Sequence, residues 1–107
     1  MNTENKPPIG CLSPEEIEEL EAKYKGAYSI ESNGHIAYFR KPNRHTQNIV
    51  LSKIDKDSKP LDFFEYYAKE CFVAGSDELI NDDDMFLDLV EALKDKIGDH
   101  NAVLVNL

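Results

Sequence analysis

Five side chains of this chain are of zinc-ligating type: Cys11, His35, His45, Cys71 and His100. Zinc sites usually draw ligands in short pairs, C-x-x-C or H-x-x-x-H, because one turn or helix face must present two donors together. None of the five has such a neighbour, so His35 reads as a turn residue, Cys71 as a core residue, and no metal is expected. A second candidate is Asp55-Lys-Asp-Ser-Lys-Pro60, whose Asp55 and Asp57 have the first two ligand offsets of a calcium loop. That loop needs glycine at its sixth position and a bidentate glutamate at its twelfth. Pro60 and Tyr66 stand there instead, and Lys56 and Lys59 oppose a cation. The run Asp82-Asp83-Asp84 fans outward if helical and suits a helix start, where acids complement the macrodipole. No nucleophile elbow, Cys–His arrangement or glycine-rich phosphate loop is present. The chain is therefore read as a non-enzyme, with no catalytic residue and no cofactor.

Composition narrows the class further. With 107 residues the chain fits one domain with a modest core. Its net charge of −9 argues against nucleic acid, which selects basic surfaces, and against anionic membranes. Two widely spaced cysteines do not make a secreted disulfide scaffold. The first residues lack the apolar core of a signal peptide, and no apolar run approaches the ~20 residues of a membrane span. A soluble protein of the cytoplasm is expected.

The elements predicted by pattern are an α+β set, mostly helical: an N-terminal helix, one β-hairpin and about three following helices. Residues 1–12 read as a flexible lead-in, 13–98 as the single domain and 99–107 as a C-terminal tail. Ser13-Pro-Glu-Glu16 is a capping box with proline at the first helical position, and Leu12 and Ile17 form a staple. Ile17, Leu20 and Tyr24 share one face, and Gly26 stops the helix near Lys25. Asn33-Gly34 is a strong hairpin signal. Around it, Tyr28, Ile30, Ile36 and Tyr38 are expected on one face, with Phe39 on the other. Pro42 disfavours helix at Lys41 and so separates hairpin from helices. Helices are predicted from about Arg44 to Ile54, from Pro60 to about Val73, and from Asn81–Asp84 to Gly98. The second buries Leu61, Phe64, Tyr67, Ala68 and Cys71. The third carries the stripe Phe86, Leu89, Val90, Leu93, Ile97.

Two surpluses nominate partner sites. Residues 35–59 hold six Lys and Arg against two acids, whereas residues 77–99 hold nine acids against two lysines. Arg40, Lys41 and Arg44 are therefore candidates for self-association or orientation against Asp82, Asp83 and Asp84, head to tail. Phe63, Phe64, Tyr66, Tyr67 and Phe72 are more large groups than one helical face can bury. Phe63 and Tyr66, with Met85 off the main stripe of the last helix, are candidate partner contacts.

The order Ala37-Tyr-Phe-Arg-Lys-Pro-Asn-Arg44, Glu70-Cys-Phe-Val-Ala-Gly-Ser-Asp-Glu78 and Asn81-Asp-Asp-Asp-Met-Phe-Leu87 resembles the small tail-assembly chaperones of long-tailed bacteriophages and prophages. The resemblance covers about residues 22–97, and the tail Ala102–Leu107 departs from it. It implies a non-enzymatic chaperone that binds the tape-measure protein or tail-tube subunits in the bacterial cytoplasm, possessing a capacity to oligomerise. Two other classes fit the same residues: a structural virion component of tail or head completion, and a small acidic adaptor that inhibits a host protein.

Overall fold

The computed structural model describes residues 6–105, with side chains described through Lys96. The chain order is α1 (Pro14–Lys23), β1 (Tyr28–Ser32), β2 (His35–Phe39), α2 (Arg44–Lys53), α3 (Pro60–Cys71), β3 (Phe72–Gly75), α4 (Glu78–Asn81) and α5 (Asp83–Val105). The three strands form one antiparallel sheet in the order β1-β2-β3, making a small α+β domain.

Asn33 and Gly34 both take positive φ, 54° and 80°, the backbone of a type I′ hairpin turn. The two-residue turn pairs Ser32 with His35, Ile30 with Ala37 and Tyr28 with Phe39. Residues directly across an antiparallel pair share a face, so Tyr28, Ile30, Ala37 and Phe39 point one way. Ile36 and Tyr38 point the other way. This corrects the expected grouping of Ile36 and Tyr38 with Tyr28 and Ile30. Alternation was right within each strand, but a two-residue turn matches even-numbered positions of β1 to odd-numbered ones of β2.

The first face carries the core. Phe39 is fully buried, stacks on Tyr28 at 5.9 Å and meets Phe72 edge-on at 6.0 Å. Around it pack Val50 of α2, Tyr67, Ala68 and Cys71 of α3, Leu79 of α4, and Phe86, Leu89, Val90 and Leu93 of α5. Ile36 and Tyr38 are also buried but lie outside that cluster. On that face α1 lies beside Tyr38, and its Ile17 and Leu20 line a depression with Ser29 and Tyr38. The cover is thin, since α1 has no buried residue.

Helix starts follow the sequence signals closely. Ser13 and Glu16 form the reciprocal capping box, at 3.2 and 2.9 Å. Asn43 accepts from the Thr46 N–H at 2.9 Å. Asp62 reaches back to the Lys59 N–H at 2.8 Å. In the α2–α3 break the Asp55 carboxylate accepts from the Asp57 N–H at 2.9 Å and from the Ser58 hydroxyl at 3.2 Å.

Three features depart from the pattern reading. Phe72–Gly75, where the predicted helix was to end near Val73, is a strand, because β2 offers an open edge there and pairing outweighs local propensity. Gly98, expected as a stop, lies within α5, which continues to Val105. A lone interior glycine costs a helix only ~1 kcal/mol and need not end it. Residues 106–107 and the side chain of Ile97 lie outside the described residues. Finally, the lead-in is tied to the sheet: the Ile9 N–H donates to the Gly34 carbonyl at 2.8 Å, and the Ile36 N–H donates to the Ile9 carbonyl at 2.9 Å. Ile9 thus occupies the stretch of β2 edge that β3 leaves vacant.

That junction is tight. A Cβ at Gly75, where φ is +99°, would lie 2.6 Å from the Ile36 carbonyl oxygen and 2.9 Å from the Ala37 Cα. A Cβ at Gly34 would meet nothing within 4 Å. Gly75→Ala is therefore expected to lower stability by about 2–4 kcal/mol, strain and clash together. Gly34→Ala should cost about 1 kcal/mol, from its left-handed backbone alone. Urea unfolding of the two variants checks the order.

Candidate partner-binding surfaces

The basic stretch after β2 divides into one internal and two external side chains. Arg40 is half-buried: its Nη1 donates to the Thr46 hydroxyl at 2.8 Å, and its Nη2 to the Glu70 carbonyl at 2.9 Å. Its backbone N–H donates to the Cys71 carbonyl at 2.8 Å. Thr46 is itself buried and donates its hydroxyl to the Asn43 carboxamide at 3.0 Å. Arg40 therefore joins the end of β2 to the first turn of α2 and the last turn of α3, where a cation also suits the helix dipole. The geometry gives it an architectural task. Lys41 and Arg44 are exposed.

Below them, Tyr24, Lys25, Arg40, Lys41, Pro42, Asn43 and His45 line an open cleft of about 460 Å³. It adjoins a second depression formed by Gly26, Tyr28, Lys41, Pro42 and Lys96. The Lys96 ammonium sits 5.0 Å from the centre of the Tyr28 ring, a cation–π contact. Tyr28 in turn borders the depression beside α1, whose rim includes Glu21. A cationic cleft thus opens on the surface of a strongly acidic chain. The sequence-level grouping of residues 35–59 caught Arg40 and Lys41, which line this cleft, whereas Arg44 stands outside its lining. It missed Lys25 and Lys96, which the fold brings in from the end of α1 and from α5.

The three aspartates do separate things. Asp82 accepts the Met85 N–H at 3.0 Å and so caps α5, while its own N–H closes α4 on the Glu78 carbonyl. Asp83 and Asp84 are exposed in the first turn of α5. Asp88, one turn on, accepts from the Ser32 hydroxyl at 3.0 Å and the Asn33 carboxamide at 3.3 Å, fastening the hairpin tip to α5.

The aromatic candidates are half in and half out. Phe63 packs edge-on against Phe64 at 5.4 Å and Tyr67 at 5.0 Å. Tyr66 lies beneath the Lys53 ammonium, 5.6 Å from its ring centre, and Lys53 pairs with Glu70 at 3.7 Å. Met85 packs against the core from α5. Of the four aromatics on α3 only Tyr67 is buried. Leu61, expected on the buried side, is instead 43% exposed. It shares the period of Phe64 and Ala68 but stands in the first turn, about 15 Å along the axis from Cys71 at the sheet.

Burial pushes the Cys71 thiol up to about 11, with Arg40 pulling the other way, and pushes the Tyr28 phenol up to about 12. Burial also raises Tyr67 and Tyr38. In each case folding favours the protonated form, so this contribution is intact below the unfolded values of 9.0 for the thiol and 10.0 for the phenol. It is lost as pH climbs through the folded values. Stability should therefore fall between pH about 9 and 12, and Tyr28→Phe should flatten the upper part of that decline in urea melts. A second expectation concerns Arg40. Arg40→Ala strands the Thr46 hydroxyl and the Glu70 carbonyl and should cost about 2–4 kcal/mol. Lys41→Ala and Arg44→Ala should each stay within about 0.5 kcal/mol of the parent. Chemical denaturation separates the internal arginine from the two external cations.

Comparison with protein-family models, with curated proteins and with solved structures finds no match to this chain.

Proposed function

We propose that this chain is a non-enzymatic assembly chaperone that binds a partner protein, of the kind implied by its resemblance to phage tail-assembly chaperones. Its client on this reading is a tape-measure segment or tail-tube subunit in the bacterial cytoplasm. The observation that carries the proposal is the unspent apolar surface of α3, where Phe63, Phe64 and Tyr66 are only half-buried and Leu61 is 43% exposed. These rings are already held on one side by Tyr67, Lys53 and each other. Little side-chain freedom remains to be lost when a client covers the other side.

An amphipathic helix suits such a surface. It supplies Leu- or Phe-type anchors at i, i+3, i+4 and i+7 spacing, which aromatic ridges accept. The net charge of −9 keeps chaperone and client dissolved while the client waits for assembly.

Co-expression with tape-measure fragments tests the reading. The parent chain is expected to hold a fragment in the soluble fraction. Leu61→Asp combined with Tyr66→Ala, folded by circular dichroism, should reduce that fraction severalfold. An unchanged soluble yield with the folded variant removes α3 as the contact. Parent chain that leaves every fragment insoluble removes this client.

A further inference from the structure

The cations of this molecule differ in what answers them. Lys53, Lys69 and Lys94 each face a glutamate, at 3.7, 2.7 and 3.3 Å. Lys25, Arg40 and Lys41 have no carboxylate within ion-pair distance among the described residues, although the chain holds 21 acids. All three line the one cleft of about 460 Å³, and among the described residues no acid stands in its lining. The adjoining hollow shares Lys41 and Pro42 with the cleft and adds Lys96, again with no acid among the described residues.

Several of these donors are held in place before anything binds. Arg40 is fixed by its bonds to the Thr46 hydroxyl and the Glu70 carbonyl, and a guanidinium has more N–H donors than those bonds use. The Asn43 carboxamide oxygen accepts from the Thr46 N–H at 2.9 Å and the Thr46 hydroxyl at 3.0 Å. That engagement leaves its NH2 group as a donor on the cleft wall. The Lys41 stem lies along Gly26, where a Cβ would sit 3.4 Å from the Lys41 Cδ. Tyr24 and Pro42 add less polar wall.

We propose that this cleft is a binding site for a small anion carrying two or more phosphate or carboxylate groups. Its volume lies within the range of about 300–1,000 Å³ usual for small-molecule sites. Charge-assisted hydrogen bonds from Arg40, Lys25 and Lys41 hold the anionic groups, and the Asn43 amide supplies a neutral donor between them. Because Arg40 and Asn43 are already oriented, little side-chain ordering is needed on binding. A long polyanion is a poor occupant: beyond the cleft it meets the field of a chain whose net charge is −9 and is repelled. The proposal does not depend on which client α3 takes.

Calorimetric titration and amide NMR at low ionic strength, where screening is weakest, test it with inorganic pyrophosphate and with citrate. At least one of the two is expected to saturate a single site with Kd at or below about 1 mM. Shifts should centre on Lys25, Lys41 and the side-chain amide of Asn43. Lys25→Ala with Lys41→Ala should weaken binding at least about tenfold. Lys56→Ala with Lys69→Ala removes the same charge elsewhere and should weaken it less than about twofold. All four lysines are exposed, and circular dichroism checks that both variants fold. Asn43→Asp keeps the cap oxygen for α2 but replaces the donating NH2 with a carboxylate oxygen, and should weaken binding at least about fivefold. Failure of both anions to saturate overturns the proposal, even if a hexaglutamate peptide binds the cleft. So does equal weakening by the two lysine pairs, an Asn43→Asp variant that binds like the parent, or shifts centred elsewhere.

Discussion

The structure depends on β2 being paired along both edges while one face stays dry. Its five residues bond to β1 on one side and to β3, Ser76 and Ile9 on the other. Ala37 and Phe39 can then be fully buried with their backbone groups satisfied, which an edge strand could not manage. Everything on the helical side follows from that face. Phe39 is the anchor against which Tyr28 and Phe72 pack, and burying one such ring is worth about 2–3 kcal/mol. The glycines at positions 10 and 75 are the cost of bringing three backbones together at one end of the strand. A Cβ at either would lie under 3 Å from its neighbours.

Much of this was legible in the chain, and what was not has a common cause. Capping residues act within one turn, so Ser13, Asn43 and the aspartate run marked their helices correctly. The Asn33-Gly34 turn also acts locally, and it contained the register that separates Ile36 and Tyr38 from the core face. Reading alternation strand by strand, without carrying the pairing through the turn, grouped the wrong residues. β3 was not legible in that way. Phe72-Val-Ala-Gly75 has no periodicity of its own and becomes a strand only because an edge of β2 lies beside it.

The candidate surfaces divide along the same line. Arg40, Lys41 and Arg44 are equivalent as a run of positive charge, and only the positions of Thr46 and Glu70 make the first an internal clasp. Lys25 and Lys96 are over fifty residues from one another in sequence, yet border adjoining hollows in space. Aromatic excess on α3 was visible by counting. Which rings stay half-exposed depended on how far along the helix the sheet reaches.

The charge of this chain is better understood by what each group is already occupied with than by its sum. Asp55, Asp62, Asp82 and Asp88 hold backbone or hairpin groups, and Glu16 closes a capping box. Glu65, Glu70 and Glu91 face lysines. These acids stabilise the monomer, and their formal charge is largely answered where it sits. The carboxylates of α1 belong to a helix that the fold covers only thinly, and Lys25 and Lys41 line a cleft beside the clasp made by Arg40. Charge left over from folding is the charge available for recognition. Here it includes the exposed acids of α1, the exposed Asp83 and Asp84 of α5 and the lysines of the cleft, a more specific arrangement than a net of −9 would suggest. A surface that carries both signs discriminates by orientation, since a partner must meet each patch with its opposite.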